Sequence, residues 1–240
     1  MPGTFDPDCT ESKLMDPLTA TQRELYDYSV KHCQAFLTLN TIPCPVYLTY
    51  EEAFALPNDS KAFKMLRKLA GGPLQGTATG WCRDGYIFVN LPKCAKPVAN
   101  PFANRRSYPG NKTDRTPVGV VAHETGHHVE WHIGRYRSSG FSCFKNPDND
   151  WLNEIGARWR ELIKKSKTVS GYEPVPSEAW AESMRLFILN PTLLEKAIPE
   201  RYHFICDLGL VPYVGLHWRA VLNNHPGYCE NLERWITRKK

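Results

Sequence analysis

The sequence contains no apolar run near the roughly 18 residues that a membrane-spanning helix requires, so a helical membrane protein is excluded. Residues 1–16 are polar and acidic and hold no apolar stretch of the kind a secretory signal uses. A soluble, cytoplasmic protein is therefore expected, with virion-associated or secreted-effector roles left open. None of the eight cysteines form a Cys-x-x-Cys pair, and a chain of 240 residues does not depend on a disulfide framework. The thiols are read as reduced and mostly buried. There is no internal repeat and no low-complexity segment. Concentrated basic charge is scarce as well: the net charge is +5, and the basic residues are scattered apart from Arg105-Arg106, Lys164-Lys165 and Arg238-Lys239-Lys240. Aromatic residues do not interleave with them. Nucleic acid, held by Arg105, Arg106, Arg115 and the basic carboxyl terminus, is therefore disfavoured as a partner.

What is present suits a globular enzyme. The chain is 42% hydrophobic and long enough to bury a real core. Its length fits one domain over residues 1–200 with a helical extension over 201–240. Thr21-Gln22-Arg23-Glu24 is a capping box that opens a helix over 22–39, with Leu25, Tyr28, Phe36 and Leu37 on its apolar face. A short strand is expected over 45–49. Asp59 or Ser60 then caps a helix carrying Phe63, Leu66 and Leu69. Asp84-Gly85 can turn a hairpin between strands over 77–81 and 86–91. The Pro, Asn and Arg-rich loop over 92–115 is longer than most connections and could border a substrate cleft. Thr116-Pro117 starts the next helix and Gly134 stops it. Asp150 caps a helix through about 166, and Ser177 begins another that ends at Asn190-Pro191.

His123-Glu124-Thr125-Gly126-His127 lies in the middle of the helix that Thr116-Pro117 opens. Two histidines four residues apart project from one helix face about one turn apart, so both can bind a single ion. Glu124, one position on, stands beside that ion and turned from it, where a carboxylate can act as a general base. Average residue usage gives such a match by chance on the order of once in a hundred chains of this size. The apolar run Val118 to Ala122 would also bury this helix, and buried imidazoles need partners.

A catalytic zinc needs a third protein ligand. The metzincin pattern requires glycine at 130 and histidine at 133, where this chain has Glu130 and Ile133. His128 and His132 point to another side of the helix and are read as surface or outer-sphere residues. Ser177-Glu178-Ala179-Trp180-Ala181-Glu182 is the better source. Two carboxylates four residues apart repel by a few tenths of a kcal/mol unless positive charge sits against them. Zinc and a ligating imidazole supply that charge, with Glu178 as ligand and Glu182 accepting the free ring N–H of a zinc histidine.

The two motifs together resemble the gluzincin metallopeptidases, in particular the Glu-x-x-Ala-Glu variety typified by the anthrax lethal factor catalytic domain and related phage-borne and bacterial domains. The resemblance covers residues 86–191. It implies a zincin-like α+β fold, a small twisted mixed sheet packed on metal-bearing helices, and Glu178 as the zinc ligand. It also implies that the strand from Tyr86 to Asn90 is the edge strand beside the cleft, where a peptide could pair in extended form. A tyrosine shortly before the ligand glutamate stabilises the oxyanion in such domains, which points to Tyr172, with His203 as the alternative. The expected activity is hydrolysis of peptide bonds in a peptide or protein, with one Zn2+ activating water and Glu124 as general base. The rival is a metallopeptidase-like module, for example in a virus particle, in which zinc serves assembly or stability.

Overall fold

Capping chemistry sets where most elements begin, and the computed structural model describes them over residues 19–70, 78–96, 114–134 and 150–213. Helix α1 (Gln22–Leu39) starts at the expected box: the Thr21 hydroxyl accepts from the Glu24 N–H, and the Glu24 carboxylate accepts from the Thr21 N–H. A second box, formed by Thr49 and Glu52, opens α2 (Tyr50–Ala55) directly after strand β1 (Val46–Thr49). The hydrophobic pattern does not reveal this short helix. Ser60 caps α3 (Lys61–Ala70) through the Phe63 N–H.

Strands β2 (Gly80–Arg83) and β3 (Tyr86–Val89) are joined at Asp84-Gly85, whose φ angles of 48° and 82° are the paired left-handed values of a tight hairpin. The sheet has the order β1-β3-β2, with β1 parallel and β2 antiparallel to β3. This corrects one expectation. The strand from Tyr86 is hydrogen-bonded on both sides and is central, because the tight turn folds 80–83 back along it while β1 pairs with its other side. Among the described residues the edge strand next to the motif helix is β2.

The remaining elements are helices: α4 (Pro117–Gly134), α5 (Asp150–Lys165), α6 (Pro176–Leu189), α7 (Pro191–Ala197) and α8 (Pro199–Asp207). Proline opens α4, α6, α7 and α8, where its missing N–H costs no helical hydrogen bond. Pro191 therefore starts a helix as well as following one, and the Asn190 side chain caps it by accepting from the Leu193 N–H.

Helix α4 is buried along most of its length, packed between α1, α6 and the sheet. The main core joins Leu25 and Phe36 of α1, Val118 and Val121 of α4, and Trp180 and Phe187 of α6. A smaller cluster of Ala53, Ala62, Leu66 and Phe88 sits between the sheet and α2–α3. The chain is thus α+β, mostly helical with a small mixed sheet. Phe204 and Ile205 of α8 belong to the main core, so a division after residue 200 falls inside a packed helix. Residues 214–240, with His217, His225 and Trp235, lie outside the described residues. The long loop is closed at its base by the Ala95 N–H donating to the Arg115 carbonyl at 2.7 Å, while 97–113, including Arg105 and Arg106, lie outside the described residues. The five described cysteines are free thiols; Cys33 and Cys94 are buried, and Cys44 is exposed. Among the described residues no helix is long and apolar enough to cross a membrane.

Candidate metal centre

A close helix crossing brings the two motifs together. At Gly126 an added Cβ would stand 2.9 Å from Met184 Cβ and 3.0 Å from Ala181 Cα, so α6 packs almost against the α4 backbone there. The Trp180 indole N–H locks the crossing by donating to the Gly126 carbonyl at 3.0 Å. From α4, His123 and His127 then face Glu178 and Glu182 on α6.

The ligand atoms of His123, His127 and Glu178 all lie within 4.8 Å of one another. Glu178 Oε2 is 3.1 Å from His123 Nε2 and 3.6 Å from His127 Nε2. Zinc bonds of about 2.0–2.2 Å in a tetrahedral arrangement place ligand atoms about 3.3 Å apart, within this range. Glu178 Oε2 is buried and has no partner beyond these two ring nitrogens. A buried carboxylate oxygen left unsatisfied is costly, and a cation shared with two imidazole lone pairs removes that cost. The three side chains therefore suit a metal ion.

Outer contacts fix which ring nitrogens face Glu178. His123 Nδ1 donates to Glu182 Oε1 at 2.8 Å, and Glu182 is held in turn by Arg185 at 3.2 Å. Both Glu182 and Arg185 are fully buried. His127 Nδ1 lies 3.3 Å from Ser177 Oγ, and the Ser177 hydroxyl donates to Glu130 Oε2 at 2.7 Å. Each ring thus has Nδ1 satisfied and Nε2 turned toward Glu178, the arrangement that orients metal histidines. Glu182→Gln, which weakens the acceptor beside His123, is expected to lower metal affinity by about 10–100-fold in competition with a chelating dye. Unchanged affinity would remove Glu182 from the site.

In the metal-free chain protons take the place of the ion. Burial pushes His123 down, but Glu178 and Glu182 outweigh it and raise its pKa to about 9. Burial of His127 is likewise outweighed, by Glu130 and Glu178, and its pKa lies well above the ordinary histidine value. The same contacts overcome the burial of Glu178 and hold it well below the carboxylate range. A metal ion needs neutral imidazoles, so its binding at pH 7 would displace protons from both histidines, with affinity rising with pH toward about 9. Stability of the metal-free protein runs the other way: the His123 contribution is present below about 6.5 and is lost as pH rises through about 9. Titration calorimetry in buffers of different ionisation enthalpy reads this release, and a binding heat independent of buffer would contradict it.

In searches against family models, curated proteins and solved structures, nothing matches this chain. The geometry therefore carries the functional reading by itself.

Glu124 is buried beside the three ligands but is not one of them. Burial raises its pKa, an effect partly offset by His123, His127 and the backbone N–H of Cys82. The strand register explains that N–H. The Asn90 N–H donates to the Thr79 carbonyl at 2.9 Å, so alternation turns the polar backbone groups of Gly80 and Cys82 away from β3 and toward the outer edge, which no strand among the described residues pairs. Tyr172 stands on the loop before α6 with its ring centroid 6.0 Å from that of His123 and 41% of its surface exposed. Burial and the charges of Glu178, Glu124 and Glu182 push its pKa up to about 12, so the phenol keeps its proton at neutral pH. Its neighbour Glu173 fixes the loop by accepting from Ser170 N–H and pairing with buried Arg201 at 2.9 Å. His203 lies elsewhere, in a groove between α5 and α8 lined by Arg158, Glu161 and Glu200. His128 is buried and bonds the Pro43 carbonyl at 2.7 Å, which corrects its reading as a surface residue.

Sequence reasoning missed Glu130, Ser177 and Gly126 as parts of the centre. Glu130 stands three residues after His127, and that same-face spacing was the available signal.

Proposed function

We propose that this chain is a zinc-dependent peptidase of the gluzincin type, with a zincin-like fold, acting on a peptide or protein. The observation that carries the reading is the buried carboxylate of Glu124 next to a convergent His123, His127 and Glu178 set that does not include it. A site built for stability alone has no use for such a group. Two nitrogen ligands and one carboxylate oxygen, with a coordination position left open, are the ligand set of catalytic zinc. The sheet with its antiparallel edge strand beside the motif helix supports the zincin-like reading.

Zinc held by these residues supplies Lewis-acid polarisation of a carbonyl and a water acidified toward neutrality. Glu124 is placed to take a proton from the attacking water and to return it to the leaving amine. Tyr172, protonated and beside His123, can donate to the carbonyl oxygen as that oxygen gains charge. Backbone groups on the outer edge of β2 other than the Cys82 N–H offer hydrogen bonds to an extended substrate.

A digest of a mixed peptide library read by mass spectrometry tests the proposal. Cleavage that disappears with a chelator and returns with zinc is expected. A library left intact by zinc-loaded protein would favour the assembly or stability role.

A further inference from the structure

Glycine in a strand often marks a place where another group approaches closely, and Gly80, the first residue of β2, has no positive φ to account for it otherwise. A Cβ built on Gly80 would stand 2.7 Å from Glu124 Oε1, 2.9 Å from Glu124 Cγ and 2.7 Å from Val120 Cγ1. Two of the three nearest atoms belong to the side chain read above as the general base. We propose that Gly80 is a positioning residue: the space left by its missing side chain is the seat that holds the Glu124 carboxylate against the edge strand.

The inference rests on Glu124 acting as general base. It adds that α4 alone does not place this carboxylate. Helix geometry fixes the Glu124 backbone, but the side chain has three rotatable bonds, and β2 limits where they can lead. Gly80 closes one direction with its own backbone, while the Cys82 N–H, two residues along on the same free edge, faces the carboxylate. The strand, the helix and the carboxylate then meet at one point.

A methyl group at 80 has several neighbours that could yield, and the glutamate tip is the most mobile of them. Gly80→Ala is therefore expected to keep the fold and the metal site while moving the carboxylate. A misplacement of about 1 Å in a reacting group costs on the order of 10²-fold in rate. The expected result for the zinc-loaded full chain is metal content equal to wild type and kcat lower by about that factor, with KM little changed.

Two readouts need no turnover. The Cys82 amide resonance should move in Gly80→Ala in the same direction as in Glu124→Ala, because both withdraw the carboxylate from it. The fall in thermal midpoint caused by Gly80→Ala should also be smaller in a Glu124→Ala background, where the space is already vacant. Wild-type kcat with an unmoved Cys82 amide, or equal falls in midpoint in both backgrounds, would overturn the proposal. A wild type without hydrolysis that still shows the amide shift and the coupling would overturn the peptidase reading and leave the seat intact.

Discussion

Glu178→Ala is expected to strip the metal from the protein while leaving its fold. Glu178 Oε2 is the atom on which His123 Nε2 and His127 Nε2 converge, and the two carboxylates behind the imidazoles are held elsewhere. Glu182 is committed to His123 Nδ1 and Arg185, and Glu130 to Ser177 on the far side of His127. Two imidazoles alone make a poor zinc site, so the loss should exceed the roughly 10–100-fold that outer partners contribute. The metal-free fold also loses the pairing of Glu178 with the two histidines, so its stability is measured beside the metal content. Glu178 stands in the first turn of α6, where a carboxylate contributes about 0.3–1 kcal/mol through the helix dipole. Elemental analysis together with thermal unfolding of the metal-free forms separates the two effects. Full metal retention would overturn Glu178 as third ligand.

Glu124→Gln should give the complementary result, full metal with hydrolysis reduced by about 10²–10⁴-fold. Glutamine keeps the shape of the side chain and can still accept from the Cys82 N–H, but it cannot take a proton. The ligand set is untouched, so metal content reports that the centre is intact while turnover reports the missing base. Hydrolysis that persists in this variant would remove Glu124 from the chemistry. A zinc-bearing wild type with no hydrolysis on any peptide would instead point to the module in which the ion serves assembly or stability.

The contrast between these variants reflects what could be read from sequence. His123, His127, Glu178 and Glu182 were legible because helical spacing of four places side chains on one face, and the histidine motif is rare by chance. The structure brings all four together, with Glu182 Oε1 against His123 Nδ1. Glu130 and Ser177 were not legible in the same way. Ser177 looks like a helix cap, yet Val175 occupies the cap position and Pro176 the first turn, which leaves the Ser177 hydroxyl to the His127–Glu130 contact. Hairpin formation at Asp84-Gly85 followed from its turn chemistry, but strand order depends on long-range pairing that local pattern does not contain. That is why β3 was taken for the edge and β2 proved to be it. The helices after Asn190 were hidden by their prolines, which stop one helix and start the next with the same residue. Gly80 carried no signal at all, since its role appears only when β2 and α4 are seen side by side.

Zinc K-edge X-ray absorption on protein purified without added metal tests the metal centre most directly, because it reports the ion, its amount and its ligand atoms together. The expected spectrum is that of about one zinc per chain with two imidazole nitrogens and carboxylate or water oxygens at about 2.0–2.2 Å. Zinc bound through sulfur at about 2.3 Å, or protein that holds no zinc under conditions that retain it, would contradict a centre built from His123, His127 and Glu178.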